Sequence, residues 1–186
     1  MANNNTLHNI LIVVGFIILS VPFWLKVNAL PLQIWDEARN AVNAIEMFYS
    51  GDFVTRTFHN APENYNLKPP LFTWLQVASM NSVGVNELAV RLPSVFASLC
   101  SMILVFFLVF KMTNSTLFGF LASAIMVTSS GFYGTHVGRY GDHDALLLLF
   151  VVLLVCATYL FSITLRKRYV YLIALSLLFG VFVKSI

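Results

Sequence analysis

The stretch "PLFTWLQVASMNSVG", Pro70–Gly84, decides how this chain relates to a bilayer. A helix needs about 20 apolar residues to cross the hydrocarbon, and this run has only about 15. Thr73, Gln76, Ser79, Asn81 and Ser82 interrupt it. A run this short and this polar reads as an interfacial helix lying on the surface, not as a crossing.

Longer runs flank it. Leu7–Val27, Leu92–Phe110, Leu117–Thr135 and Ala145–Leu165 read as spans, and Tyr169–Ile186 begins a fifth. None has an ionisable group near its middle; Lys184 lies toward the end of the fifth. A signal peptide competes for the first run, with Val27-Asn28-Ala29 as a passable cleavage site. Against it, Met1–Thr6 carries no Lys or Arg and the apolar run is long. The chain stops at Ile186 inside an apolar run, so the reading expects it to be incomplete at the C-terminus.

Arg166-Lys167-Arg168 is the strongest positive cluster and belongs on the cytoplasmic side. Counting back, Ala145–Leu165 puts residues 136–144 outside, Leu117–Thr135 puts Lys111 inside, and Leu92–Phe110 puts Arg91 outside. Counting forward from an uncharged, inside N-terminus puts Asn28–Lys68 outside. The two counts agree only if Pro70–Gly84 does not cross. The expected fold is therefore an all-α polytopic membrane protein with about five transmembrane helices. Residues 1–27 form the first span. Residues 28–90 form an extracytoplasmic loop with juxtamembrane helices at 36–50 and 70–84. Residues 91–186 hold the remaining spans, with a short outer loop at 136–144.

The composition supports that class. The chain is 59% hydrophobic and 10% charged, with 17 Phe and a mean hydropathy of +0.81. That excludes an ordinary soluble domain. The net charge is only +3, and the basic residues are scattered apart from Arg166-Lys167-Arg168, which argues against a nucleic-acid partner. Cys100 and Cys156 fall in apolar runs and read as small buried hydrophobes.

Three stretches set charges among other polar groups in patterns that point to a site. In "WDEARNAVNAIEMFYSG", Trp35–Gly51, Asp36 and Glu37 open a helix that Gly51 closes. Asp36, Arg39, Asn40, Asn43, Glu46 and Met47 share one face of it; Ala38, Ala41, Val42, Ile45, Phe48 and Tyr49 share the other. Acidic residues in a first turn often only complement the helix dipole, with Arg39 as the i,i+3 partner of Asp36. "GRYGDHDALLLLF", Gly138–Phe150, packs Arg139, Asp142, His143 and Asp144 at the mouth of a span. A helix cap explains one of its two Asp but not both. A metal site of His136, Asp142, His143 and Asp144 is conceivable, but the spacing matches no strong signature. In "NLKPPLFTWL", Asn66–Leu75, the Pro pair starts a helix and Lys68 sits at headgroup height. There it either snorkels or contacts a lipid phosphate; Arg91 poses the same choice.

Taken in order, "WDEARNAVNAIEMFYSGDFV", "NLKPPLFTWLQ", "NELAVRLPSVFAS", "GRYGDHDALLLLF" and "FGVFVKSI" resemble the N-terminal part of the GT-C membrane glycosyltransferases. The nearest branch holds the lipid A aminoarabinose transferases and the protein O-mannosyltransferases. The resemblance runs from about Leu30 to the end. It implies a polytopic fold in a bacterial inner membrane, with the active face extracytoplasmic. It also implies transfer of a sugar from a polyprenyl-phosphate donor to a lipid, glycan or protein acceptor, with inversion. On that resemblance Asp36 acts as general base or orients the acceptor, and Asp144 positions a substrate. Lys68 neutralises the departing phosphate. Glu37, Arg39, Arg91 and Lys184 match further substrate- or phosphate-binding positions, the two arginines alternatively holding the loop. Two departures stand out: Leu67 replaces an acidic residue that relatives can carry, and Ser185 replaces a Gly. No cofactor is expected, and no required metal.

The competing classes are a transporter and a non-catalytic or truncated membrane subunit. Ion-coupled transporters bury ionisable groups near mid-membrane, and the spans here have clean centres.

Overall fold

The computed structural model describes the backbone of residues 2–133 and 137–184 and the side chains of 10–132 and 137–184. It is helical almost throughout. Helix α1 (Ala2–Trp24) leads through a turn-rich connector to α2 (Asp36–Ser50). A two-stranded antiparallel hairpin, β1 (Thr57–Phe58) and β2 (Ala61–Pro62), precedes α3 (Leu71–Val83). There follow α4 (Glu87–Thr113), α5 (Thr116–Thr128), the short α6 (Ser130–Tyr133), α7 (His143–Thr164) and α8 (Lys167–Val183).

Helices form over both of the stretches expected, 36–50 and 70–84. Helix α2 ends at Gly51 in the left-handed region, φ 71°, with its N–H on the Met47 carbonyl. Helix α3 begins beside Pro70, whose carbonyl accepts from Trp74, and ends at Gly84, φ 81°. Its 13 residues reach about 20 Å, short of a hydrocarbon core about 30 Å thick. It packs against α2 and α4 through Phe72, Val77 and Met80, and buried Gln76 donates to the Val90 carbonyl at 3.0 Å.

Helices α4 and α7 are long and apolar enough to cross a membrane. Asn86 caps α4 by accepting from the Ala89 N–H at 2.9 Å. Along one stripe of α4, Ser94 donates to the Asp142 carbonyl and Ser98 to the Gly138 carbonyl, so the loop before α7 is held on α4. The outer faces carry exposed Ile17 and Ile18 on α1, Phe96 and Phe107 on α4, Leu117 and Ile125 on α5, and Leu177 and Val181 on α8. Apolar surface on this scale suits lipid, not water.

Three expectations change. Leu117–Thr135 was expected as one span, but the helix ends at Thr128 and Ser129 is extended. The hydroxyls of Thr128 and Ser129 bond back to the carbonyls of Ala124 and Met126, giving the chain a local alternative to the helix ladder. Cys156 is buried as expected, but Cys100 is exposed, lining an apolar groove of about 550 Å³ between α3, α4 and α7. The faces of α2 are also reassigned. Asn40, Asn43 and Met47, grouped with the charged face, are buried together with Ala41 and Ala44, while Tyr49, grouped with the apolar face, is exposed. The two asparagine amides find partners inside the protein, so burial costs little.

Candidate functional site

The charged residues of the three motifs meet where the N-terminus of α7, the start of α2 and the end of α8 come together. Beneath them lies a buried hub. Glu37 and Arg91, each with a side chain 3% exposed, pair at 2.7 Å. Arg91 spends every N–H inside the protein. Nε and Nη2 donate to the two Glu37 oxygens, Nη1 to the carbonyls of Val27 and Leu30, and Nη2 also to that of Pro31. Glu37 further accepts from the backbone N–H of Gln33 at 2.7 Å and of Gly141 at 2.9 Å. The pair joins the α1–α2 connector, α2, α4 and the loop before α7. Both side chains are thus engaged within the protein. Arg91 holds the loop because its fork is saturated, and Glu37 is its counter-charge.

Arg39 is also engaged within the protein, though less completely. Its guanidinium pairs with Glu63 at 3.0 Å and lies over the rings of Phe58, 4.4 Å, and Tyr65, 4.6 Å. It clamps the hairpin onto α2. Burial would raise the Glu63 carboxyl. Hydrogen bonds from the backbone of Tyr65 and Asn66 and from Asn43 and Arg39 outweigh it and hold the group below its ordinary value.

Above the hub, two lysine–aspartate pairs flank the first turn of α7. Lys68 Nζ lies 3.8 Å from Asp142 Oδ1, and Lys184 Nζ lies 2.8 Å from Asp144 Oδ1. Asp142 also caps α7, accepting from the His143 N–H at 2.7 Å, and is approached by the Asn40 amide. His143 is fully buried against the Phe72 ring. Asp144 and Lys184 are partly open, at 33% and 42%. The hydrogen bond that Lys184 donates to Asp144 holds the lysine above its ordinary pKa, against burial, and the fields of Asp144, Asp142 and Asp36 add to it. Asp36, the first residue of α2, lies near enough for its charge to be felt at Lys184.

Asp36, Lys68, Asp144 and Lys184 are therefore brought to one end of the bundle, from four separate stretches of chain. The conceivable metal set is described only in part. His136 lies outside the described residues, Asp142 and Asp144 turn to different lysines, and no metal-holding group of three acidic, His or Cys side chains occurs among the described residues.

The sequence reading missed Asp142 as a lysine partner, and it missed Asn40, Asn43 and Asn66. Asn66 donates to both helix asparagines, at 3.0 and 3.1 Å, tying the segment before Lys68 to α2. The signal was present: Asn40 and Asn43 lie three apart on the helix face that carries Met47.

The profile of the dolichyl-phosphate-mannose-protein mannosyltransferase family matches residues 67–185, more than half of the chain. The chain belongs to this mannosyltransferase family. Among curated relatives of this family member are undecaprenyl phosphate-alpha-4-amino-4-deoxy-L-arabinose arabinosyl transferases. The one from Pectobacterium atrosepticum is 32% identical over 145 residues, 78% of this chain and 25% of the relative. The one from Enterobacter sp. (strain 638) is 29% identical over 136 residues, 70% of this chain and 24% of the relative. The chain thus spans about a quarter of the length of these relatives. Among solved structures, ArnT from Cupriavidus metallidurans in the apo state superposes with a TM-score of 0.79 at 18% identity, over 100% of this chain and 34% of that one. The same protein bound to undecaprenyl phosphate gives 0.77 at 20% identity, over 94% and 32%. At that identity the likeness is one of fold. It agrees with the GT-C resemblance carried by the motifs, and with α4 and α7 it makes the family member a membrane protein.

Proposed function

We propose that this chain carries the catalytic face of a glycosyltransferase that moves a sugar from a polyprenyl-phosphate donor to an extracytoplasmic hydroxyl or phosphate acceptor. The observation that carries the reading is the pair of lysine–aspartate contacts on the first turn of α7.

A sugar held on a lipid phosphate leaves behind a phosphate that gains negative charge as the glycosidic bond breaks. Lys68 and Lys184 are the cations for it, and Asp142 and Asp144 hold them until the anion arrives. The attacking alcohol has a pKa far above 7 and needs a carboxylate to accept its proton as the new bond forms. Asp36 fills that role, at the end of α2 and outside the saturated Glu37–Arg91 pair. Attack in line, opposite the phosphate, inverts the anomeric carbon. Asp144 orients donor or acceptor once Lys184 turns to the phosphate. The proposal routes no step through a metal. The active face lies outside an inner membrane crossed by about five helices, with α3 in the interface. The names of the relatives suggest 4-amino-4-deoxy-L-arabinose as the sugar and undecaprenyl phosphate as the carrier.

Membranes carrying the chain, supplied with undecaprenyl-phosphate-linked aminoarabinose, are expected to release undecaprenyl phosphate. Asp36→Asn is expected to slow that release about 10²- to 10⁴-fold, the range of a lost general base. Near wild-type release by Asp36→Asn would sink the assignment.

A further inference from the structure

Arg56 belongs to none of the motifs singled out in the sequence, and the transfer proposed above leaves it unused. Its Nη2 donates to the carbonyl oxygens of both Asn66 and Lys68. One nitrogen thus bridges the backbone on either side of Leu67, whose side chain is exposed. On the other flank of Lys68 stand Pro69 and Pro70, which fix their own φ and restrict the residue before them. The Lys68 main chain is therefore held from both directions. Asn66 adds a third tie through its amide to Asn40 and Asn43.

The guanidinium is costly to keep there. Burial pushes it below its ordinary pKa, with Glu63 pulling the other way. Its Nη1 is buried with no hydrogen-bond partner among the described residues. A buried charged donor left unmade opposes folding, and an apolar side chain would fill the space without that penalty. What an apolar side chain could not do is hold two carbonyls at once and place a positive charge beside Lys68. That charge discourages the ammonium from folding back over its own backbone and leaves Asp142, or an arriving anion, as its partner.

We propose that Arg56 is a positioning residue for Lys68, fixing the Asn66–Lys68 main chain so that the ammonium is presented to the phosphate of a lipid-linked substrate. The proposal rests on the reading of Lys68 as a phosphate cation. It makes Arg56 act through Lys68, not by a contact of its own.

The test is a double-mutant cycle on the chain in nanodiscs, read by the affinity for geranyl phosphate and for geraniol, which share a tail and differ by the phosphate. Lys68→Ala is expected to weaken geranyl phosphate about 10- to 100-fold and Arg56→Ala about tenfold. The double variant should match Lys68→Ala within about twofold. Geraniol affinity should not change. Arg56→Lys, which keeps the charge should the alanine variant fail to fold, should show a smaller loss that also vanishes on the Lys68→Ala background. Losses that add with Lys68→Ala, an Arg56→Ala affinity equal to wild type, or an equal loss for geraniol would each overturn the positioning role. A wild-type chain that does not distinguish the two probes would instead remove the phosphate reading itself, and the Arg56 proposal with it.

Discussion

Replacing Glu37 by Gln separates the architecture of this site from its chemistry. The Glu37 carboxylate accepts four hydrogen bonds, from Arg91 Nε and Nη2 and from the backbone of Gln33 and Gly141. A carboxamide keeps one oxygen and turns an NH₂ toward donors, so about half of these contacts are lost. Hydrogen bonds to charged groups are worth about 1.5–3 kcal/mol each, which gives a loss of about 3–6 kcal/mol. The general cost of breaking a buried pair from one side, about 3–5 kcal/mol, agrees, because Arg91 stays charged in a place where it is 2% exposed. The assay is denaturant unfolding of the chain in mixed micelles. Arg91→Met added to Glu37→Gln should recover part of the loss, since removing both charges leaves none stranded. A Glu37→Gln chain within about 1 kcal/mol of wild type would refute the reasoning. So would a double variant less stable than wild type by the sum of the two single losses.

Two further expectations concern the supports of the site. Because the folded-state pKa of Glu63 is depressed, its clamp on the hairpin contributes fully above the ordinary glutamate value of 4.5 and is lost as pH falls through the lower folded value. Thermal scans from pH 6 downward should show a stability loss below that point which Glu63→Gln, already lacking the contribution, does not show. Gly141→Ala would place a Cβ 2.6 Å from Val90 Cγ1 and 3.1 Å from the Val90 carbonyl oxygen. It should destabilise by about 1–3 kcal/mol through overpacking, and Val90→Ala in the same chain should relieve part of that.

Much of the architecture was legible before any coordinates. The ends of α2 and α3 were marked by Asp36, Gly51, Pro70 and Gly84, because caps and prolines act over one or two residues and need no tertiary context. The apolar runs Leu92–Phe110 and Ala145–Leu165 became α4 and α7 for the same reason: hydrophobic length is a local property. The break after Thr128 was not read, because serine and threonine hydroxyls compete with a helix only where the surroundings let them. The hairpin turn at His59-Asn60, both with positive φ, gave little signal, since neither residue is glycine.

The site divides along a similar line. Asp36, Lys68, Asp144 and Lys184 were named through the motif order and the family resemblance it carries, and the fold brings them to one end of the bundle. Residue type says what a side chain can do and nothing about what it is already doing. Arg39, Arg91 and Lys68 look alike in the sequence. Only the packing shows that the Arg91 fork is consumed by Glu37 and three carbonyls and that Arg39 is clamped by Glu63 and two rings, while Lys68 is held loosely at 3.8 Å from Asp142. The sequence by itself thus determined which groups exist and roughly at what depth, through local length, polarity and capping. The tertiary structure decided which of them remain available, because hydrogen-bonding capacity is spent between residues as far apart as Glu37 and Arg91, and no local pattern records that pairing.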